Sequence, residues 1–316
     1  MTSQKEICVV VPVFNEEAVL PSFLDRIQSV LRPFSGSYQI LFIDDGSTDR
    51  TLEVLRMAGE RDGRVGVISF SRNFGHQAAL CAGLSFASAK VVAIIDGDLQ
   101  DPPELIPQLC ERVNLGDDVV YAVRRSRRGN ILKRACYWMF YRLLKSLAQF
   151  PIPLDAGDFC ALSARVVKIL NAMPEQDRFL RGMRAWVGFR QSFIEYDREI
   201  RFAGTPKYNA KRLFRLAVDG ILSSSDKPLR IATVAGFFIS MTSLLFALYF
   251  VLWRVFVGGI RLPGYASIAA GIFFLGGVQL LAIGVLGEYI ARIFNQVKSR
   301  PLFLVDKVYN LNNPGV

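Results

Sequence analysis

Short apolar, β-branched runs alternate with helical stretches from the beginning of the chain. Ile7–Val13, Gln39–Ile43, Val65–Phe70, Val91–Ile95 and Val119–Val123 are near-continuous apolar runs bounded by polar turns, which predicts five buried strands. Glu16–Leu31, Thr48–Gly59, Gly75–Ala89 and Pro103–Asn114 carry the helical pattern between them. Such alternation predicts an α/β domain with a mostly parallel sheet. Beyond the fifth strand the pattern changes. Ile131–Phe150 gathers Arg134, Arg142 and Lys145 on one arc and spreads Tyr137, Trp138, Phe140 and Tyr141 over much of the rest. Lys211–Leu222 repeats the theme, so basic, aromatic amphipathic helices near 131–150 and 207–222 are expected to lie in a bilayer interface. Ile231–Trp253 and Leu262–Gly287 are wholly uncharged. At about 1.5 Å rise per residue each exceeds a hydrocarbon core of about 30 Å, which predicts two transmembrane helices. The chain therefore divides into a domain over 1–222 and a membrane domain over 223–316.

Composition agrees with that division. The 316 residues are 51% hydrophobic and 21% charged, with a net charge of +10. Much of the excess falls in Arg124, Arg125, Arg127, Arg128, Lys133, Arg134, Arg142 and Lys145, with no acid between Val119 and Leu154. Beside membrane segments, a stripe of this kind meets anionic lipid or phosphorylated ligands rather than nucleic acid. Lys211, Arg212, Arg215, Lys227 and Arg230 precede the first span, and Arg292, Lys298, Arg300 and Lys307 follow the second. Only Arg254 and Arg261 lie between them, so both termini and the first domain are expected in the cytoplasm of a multi-pass inner-membrane protein. No signal peptide is expected before the first strand. Five cysteines without a CxxC spacing fit a reducing compartment and no zinc site. Nothing here fixes an oligomeric state, and a homo-oligomer stays open.

In an open parallel sheet, ligands bind outside the carboxyl ends of the strands. Polar groups recur at that edge: Asn15 and Glu16 after strand one, Asp44 and Asp45 after two, Arg72 and Asn73 after three, Asp96 and Asp98 after four, and Arg124 after five. Helix capping accounts for Ser47, Thr48 and Asp49 but not for charge at every strand end. No GxGxxG follows strand one and no GxxxxGK[ST] occurs, so neither a dinucleotide nor a P-loop triphosphate site is expected. Acids in place of glycine-rich loops point to a hard cation, Mg²⁺ or Mn²⁺, bridging carboxylates to a nucleoside diphosphate. Asp96 and Asp98, two positions apart across the small Gly97, and the neutral oxygen of Gln100 are the expected donors. Asp101-Pro102-Pro103-Glu104 reads as a turn and helix start. His76, the only histidine, follows a helix-start glycine and reads as structural, with no base or metal partner evident near it.

The stretches "VVVPVFNEE", "IDDGSTDRT", "SRNFGHQAAL", "IDGDLQDPPEL" and "GDFCALSARVV" together resemble the family-2, GT-A fold glycosyltransferases. Within them they resemble the polyisoprenyl-phosphate branch: dolichol-phosphate mannosyltransferases and, more closely, bacterial bactoprenol (undecaprenyl-phosphate) glucosyltransferases. The likeness covers residues 7 to about 222, and the two following spans match the bacterial architecture. DDGS alone is widespread in the family, whereas DxDLQDPPE with RNFG and GDF is narrower. Gly97 departs from the usual Ala. The resemblance implies a GT-A domain, Rossmann-like and mostly parallel, followed by two transmembrane helices. It implies metal-dependent, inverting transfer of a sugar from a nucleotide diphosphate sugar to undecaprenyl phosphate, for cell-envelope glycan modification such as that of lipopolysaccharide. Glucose and UDP are the preferred pair through the closer likeness alone. On matching positions, Pro12, Asn15, Glu16, Asp44, Asp45 and Asp96 would contact the donor, Asp98 and Gln100 would bind the metal, and Arg124 and Arg134 the lipid phosphate. Asp158 would stand at the reaction centre beside Asp98, as proton acceptor or positioning group, and Arg201 and Lys207 would close over the donor phosphates. A processive polysaccharide synthase would share DDGS and DxD, but "RGMRAW" (Arg181–Trp186) lacks the glutamine of a QxxRW motif. A non-catalytic nucleotide-sugar-binding scaffold would have no reason to keep Asp96, Asp98 and Gln100.

Overall fold

The computed structural model describes residues 5–34, 37–125, 156–176, 178–197, 227–256 and 264–311. They form two compact units, each described by itself: an α/β unit, which residues 300–311 rejoin, and a helical unit within 214–299.

The α/β unit is built on one eight-stranded sheet in the order β7-β5-β6-β4-β1-β2-β3-β8. The five predicted strands are present as β1 (Lys5–Val13), β2 (Tyr38–Asp44), β3 (Val65–Phe70), β4 (Ala89–Ile94) and β5 (Val119–Arg124). β1 pairs in parallel with β2 and β4, and β2 with β3, as expected for a mostly parallel sheet. Three further strands complete it. β6 (Ala156–Ser163) runs antiparallel between β4 and β5, β7 (Gln191–Tyr196) pairs in parallel with β5, and β8 (Val305–Tyr309) pairs antiparallel with β3.

Both faces of the sheet are covered, which explains why the strands read as continuous apolar runs instead of alternating. Val9 and Val11 of β1 face one layer, with Phe23, Ile27 and Leu31 of α1 (Leu20–Leu31) and Leu109 and Val113 of α4 (Ile106–Asn114). α2 (Thr51–Arg61) adds Leu55 to this layer. Cys8 and Val10 face the other, with Leu80 and Leu84 of α3 (His76–Phe86), Val166 and Leu170 of α5 (Ala164–Ala172), and Leu180 and Met183 of α6 (Leu180–Trp186). α3 lies so close that a Cβ on Gly83 would come 2.1 Å from Val10 Cγ1. α1 begins at Leu20 and not at Glu16, because residues 15–17 are occupied in pairing with the loop after β2.

The second unit comprises α7 (Lys227–Phe256) and α8 (Tyr265–Lys298), so the described parts of both predicted membrane segments are helical. Among the described residues, one stretch is long and apolar enough to cross a membrane: Phe274–Lys298, with mean hydropathy 1.6. In α7 the apolar stretch among the described residues, Ala232–Ser243, is shorter, so one of the two expected spans meets the criterion there and the other is not shown by it. The expected interfacial helices near 131–150 and 207–222, with Arg134, Arg201 and Lys207, lie outside the described residues.

Candidate active site

β1, β2, β4 and β5 run in one direction, and β6 runs against them. An antiparallel insertion brings its first residues to the carboxyl edge of its neighbours. This places Asp158 beside the end of β4.

The β1 and β2 ends are joined by hydrogen bonds. Asn15, at φ 55°, donates its N–H to Ser47 Oγ (3.0 Å) and accepts the Thr48 N–H at Oδ1 (2.9 Å). The Glu16 N–H donates to Thr51 Oγ1 (2.9 Å). Asp44 is buried and accepts from the Ser47 N–H (3.1 Å) and Ser69 Oγ (2.9 Å). Asp45 is also buried and accepts the N–H groups of Phe74 (2.7 Å) and Gly75 (2.9 Å), which anchors the RNFG loop. Burial pushes the Asp45 carboxyl up, and these two N–H bonds oppose that shift. Pro12 is buried beneath them. The DDGS motif is thus a structural junction as well as a candidate nucleotide edge.

Gly46 makes the junction possible. Its φ is +68°, and a Cβ there would lie 2.4 Å from the backbone carbon of Arg72. A side chain meets both a left-handed backbone penalty of about 1–2 kcal/mol and backbone that cannot rotate away. Gly46→Ala is therefore expected to destabilise the chain by roughly 2–4 kcal/mol, combining that penalty with an overpacking cost. A thermal melt of the detergent-solubilised variant that overlays wild type would refute this.

At the β4 end, Asp98 Oδ1 accepts the Gln100 N–H (3.1 Å) across Leu99, whose φ is +56°. The Gln100 side chain is buried. A Cβ on Gly97 would approach Val13 Cγ1 to 2.8 Å, so the usual Ala would require Val13 to shift. The Asp96 side chain is 33% exposed, yet its Oδ1 is buried and without a hydrogen-bond partner. Burial raises the Asp96 carboxyl to about 6, with His76 opposing and the charges of Asp158, Asp98 and Asp101 adding to the rise.

Asp158 is buried and fully engaged. Arg181 donates from Nε to Oδ1 (3.0 Å) and from Nη2 to Oδ2 (2.9 Å), a bidentate clamp. His76 Nε2 lies 3.2 Å from Oδ2 and 3.7 Å from Asp96 Oδ1. Arg184, itself 1% exposed, stands 3.5 Å from Oδ1 and donates to the carbonyls of Asp158 (3.1 Å) and Gly157 (3.2 Å). Burial alone would raise the Asp158 carboxyl; the His76 and Arg181 bonds and the two guanidinium charges instead hold it far below the usual range. Burial lowers His76, but Asp158 and Asp96 outweigh it and leave the imidazole above its ordinary value. His76 thus has two acid partners, Asp158 and Asp96, where none was expected near it. Its partners are remote in sequence, which is why no pairing was evident.

Arg124 ends β5 at the same edge. Its Nε donates to the Tyr196 hydroxyl (3.1 Å), and its Nη2 lies 3.5 Å from Asp101 Oδ1, which also accepts the Tyr196 O–H. Asp101 is therefore a buried counter-ion and not only a turn residue. His76, Asp101, Arg181, Arg184 and Tyr196 were all missing from the expected site. The i, i+3 spacing of Arg181 and Arg184 on α6, which puts both on one helix face, was the available signal.

A sheet whose carboxyl edge gathers acids after β4, one of them held by Arg124 of β5, and an arginine-held acid on β6 has the make-up of an α/β enzyme with a candidate ligand site at the strand ends. Residues 8–170 match the family described as Glycosyl transferase family 2, and 227–293 match the GtrB C-terminal hairpin. The chain belongs to glycosyl transferase family 2 and is a glycosyltransferase. It is 42% identical over 307 residues to the uncharacterized glycosyltransferase sll0501 of Synechocystis, covering 97% of this chain and 96% of that one. It is 41% identical over 311 residues to the SfII prophage-derived bactoprenol glucosyl transferase of Shigella flexneri, covering 97% and 99%. A solved Mycobacterium tuberculosis glucosyl-3-phosphoglycerate synthase, in complex with Mn²⁺, UDP and glucosyl-3-phosphoglycerate, is 22% identical over 70% of this chain and 80% of its own. Its TM-score is 0.46, a likeness too loose to place any side chain.

Proposed function

We propose that the chain transfers a sugar, glucose from UDP-glucose, to undecaprenyl phosphate at the cytoplasmic face of the inner membrane. The observation that carries this reading is the pairing, at one edge, of an acidic turn (Asp96, Asp98) with an acid held by arginines (Asp158, Arg181, Arg184). A nucleotide diphosphate and a phosphate acceptor need opposite handling, and the two halves supply it. The relatives named bactoprenol glucosyl transferase support the lipid acceptor and the sugar. α7 and α8 carry exposed Phe237, Phe238, Leu280 and Leu281, an apolar surface suited to lipid, and we infer that both cross the bilayer.

The residues fit a divalent cation. Asp96 Oδ1 is a buried oxygen without a hydrogen-bond partner, and burial and the neighbouring carboxylates raise the cost of ionising it. Among the described residues no three ligating side chains already converge, so ligand oxygens would complete any shell. Asp98 and Gln100 would hold Mg²⁺ or Mn²⁺, with Asp96 alongside. When bound, the cation would neutralise charge developing on the nucleoside diphosphate leaving group. Asn15, Glu16, Asp44 and Asp45 build the edge on which we place the nucleotide. The nucleophile is a phosphate oxygen whose second pKa, about 6 by analogy with phosphorylated side chains, leaves it mostly dianionic at neutral pH. Asp158, held ionised by its clamp, orients this half of the site and does not collect a proton. Arg124, fixed by Asp101 and Tyr196, adds positive charge on the acceptor side.

The test offers purified protein a panel of radiolabelled nucleotide sugars with undecaprenyl phosphate in detergent. Label is expected in organic-extractable lipid, with UDP-glucose the best donor. Transfer from none of the panel would overturn the reading, and preference for another sugar would overturn its glucose component.

A further inference from the structure

Three arginines at the carboxyl edge are tied to buried acids, and their exposures separate them. The Arg184 side chain is 1% exposed and supports the backbone of β6 from below. Arg124 is 28% exposed. Arg181 is 42% exposed although the carboxylate it clamps is only 5% exposed. An approaching ligand therefore meets the Arg181 guanidinium and the His76 ring (43% exposed), with the Asp158 carboxylate behind them. Arg181 and Arg184 share the one carboxylate of Asp158, and Asp96 lies on the far side of His76, 3.7 Å from its ring nitrogen.

The surrounding hydrogen bonds fix this pair. Gly75, at φ 101°, starts α3 with its N–H on Asp45, so His76 is set by the end of β2. Gln77 Oε1 accepts the Leu180 N–H (3.1 Å), tying the first turn of α3 to the start of α6 immediately before Arg181. His76 and Arg181 then grip Asp158 from two elements. The strand order places this group on β6, beyond β4 from β1 and β2, where the donor edge lies. A cation on the far side of the acidic turn is placed for a second anion and not for the nucleotide.

Resting on the proposed transfer reaction, we propose that Arg181 receives the acceptor's phosphate, with Asp158 as its buried anchor and His76 as the brace that orients the anchor. Arg181→Ala and Arg181→Lys are compared with wild type for the KM of undecaprenyl phosphate and, by calorimetry, for the Kd of UDP. Losing a charge-assisted hydrogen bond should raise the acceptor KM roughly 10- to 100-fold in Arg181→Ala. Arg181→Lys should recover only part of this, because its point charge lacks the two-pronged fork. The UDP Kd should change less than twofold, and added methylguanidinium should restore activity to Arg181→Ala, which repair of a folding defect would not do. His76→Gln, keeping an N–H donor, should be milder than His76→Ala in the same acceptor KM. An unchanged acceptor KM in Arg181→Ala, or an equal loss of UDP affinity, overturns the assignment while wild-type transfer stands. Absence of transfer by wild type overturns the underlying reaction instead.

Discussion

Asp158→Asn should lower turnover on the order of 100-fold, the scale of a misplaced reacting group, and the loss should persist at pH 9. A general base must take up a proton near the working pH. Burial would raise Asp158, but the His76 bond, the Arg181 fork and the Arg184 charge together outweigh it and hold the carboxyl low. For an acid with a lowered folded-state pKa, the associated stability is present above the unfolded value of 3.8 and is lost as pH falls through the folded value. The Asp158 carboxyl itself therefore does not titrate between pH 6 and 9. The Asn variant keeps the shape but turns an N–H₂ towards Arg181 or His76 and leaves Arg184 buried without its counter-charge. Removing one partner of a buried pair costs about 3–5 kcal/mol, so a lower melting temperature should accompany the loss of rate. The check is a rate–pH profile of both proteins at saturating donor in one detergent. Recovery of the wild-type rate above pH 7.5 would show that Asp158 accepts a proton after all.

The five parallel strands were legible because both faces are buried, so each strand stands out as an apolar run between polar turns. β6 was not. "GDFCALS" carries too little pattern to reveal that it inserts antiparallel between β4 and β5, and that insertion is what joins Asp158 to Asp96. Motif reading found Asp44, Asp45, Asp96, Asp98, Arg124 and Asp158, which lie at the sheet edge. It missed what holds them, since His76 and Asp158 are 82 positions apart and Arg124 and Tyr196 are 72 apart. Asp101 was hidden differently. Two prolines after it gave a sufficient local explanation, and its burial under Tyr196 and Arg124 is a tertiary fact. The α1 start was misplaced because Glu16 and Glu17 look like first-turn acids, yet they belong to the loop bonded to Thr51, Asp49 and Arg50.

Asp98→Asn should abolish most transfer, about 100-fold or more on the scale of removing one charge-stabilising group, while leaving the fold intact. The substitution is conservative here for a geometric reason. Asp98 Oδ1 accepts the Gln100 N–H, and an Asn oxygen can accept the same bond, so the turn over Leu99 survives while the charge is lost. A cation effect is separable from a turn effect by following protons. Asp96 is raised to about 6 chiefly by burial, with Asp158 and Asp98 contributing. It therefore holds a proton far more readily than an ordinary aspartate, and a divalent cation favours the ionised form and must expel that proton. Titrating Mg²⁺ or Mn²⁺ with UDP into wild type at pH 6, in two buffers of different ionisation enthalpy and with the proton release of metal and UDP alone subtracted, should show an excess release that vanishes by pH 8. In Asp98→Asn the apparent metal affinity should fall, and the release at pH 6 should shrink with it, because one of the charges raising Asp96 is gone. Wild-type transfer that persists in excess EDTA, together with no metal-linked proton release at pH 6, would remove the cation from this site.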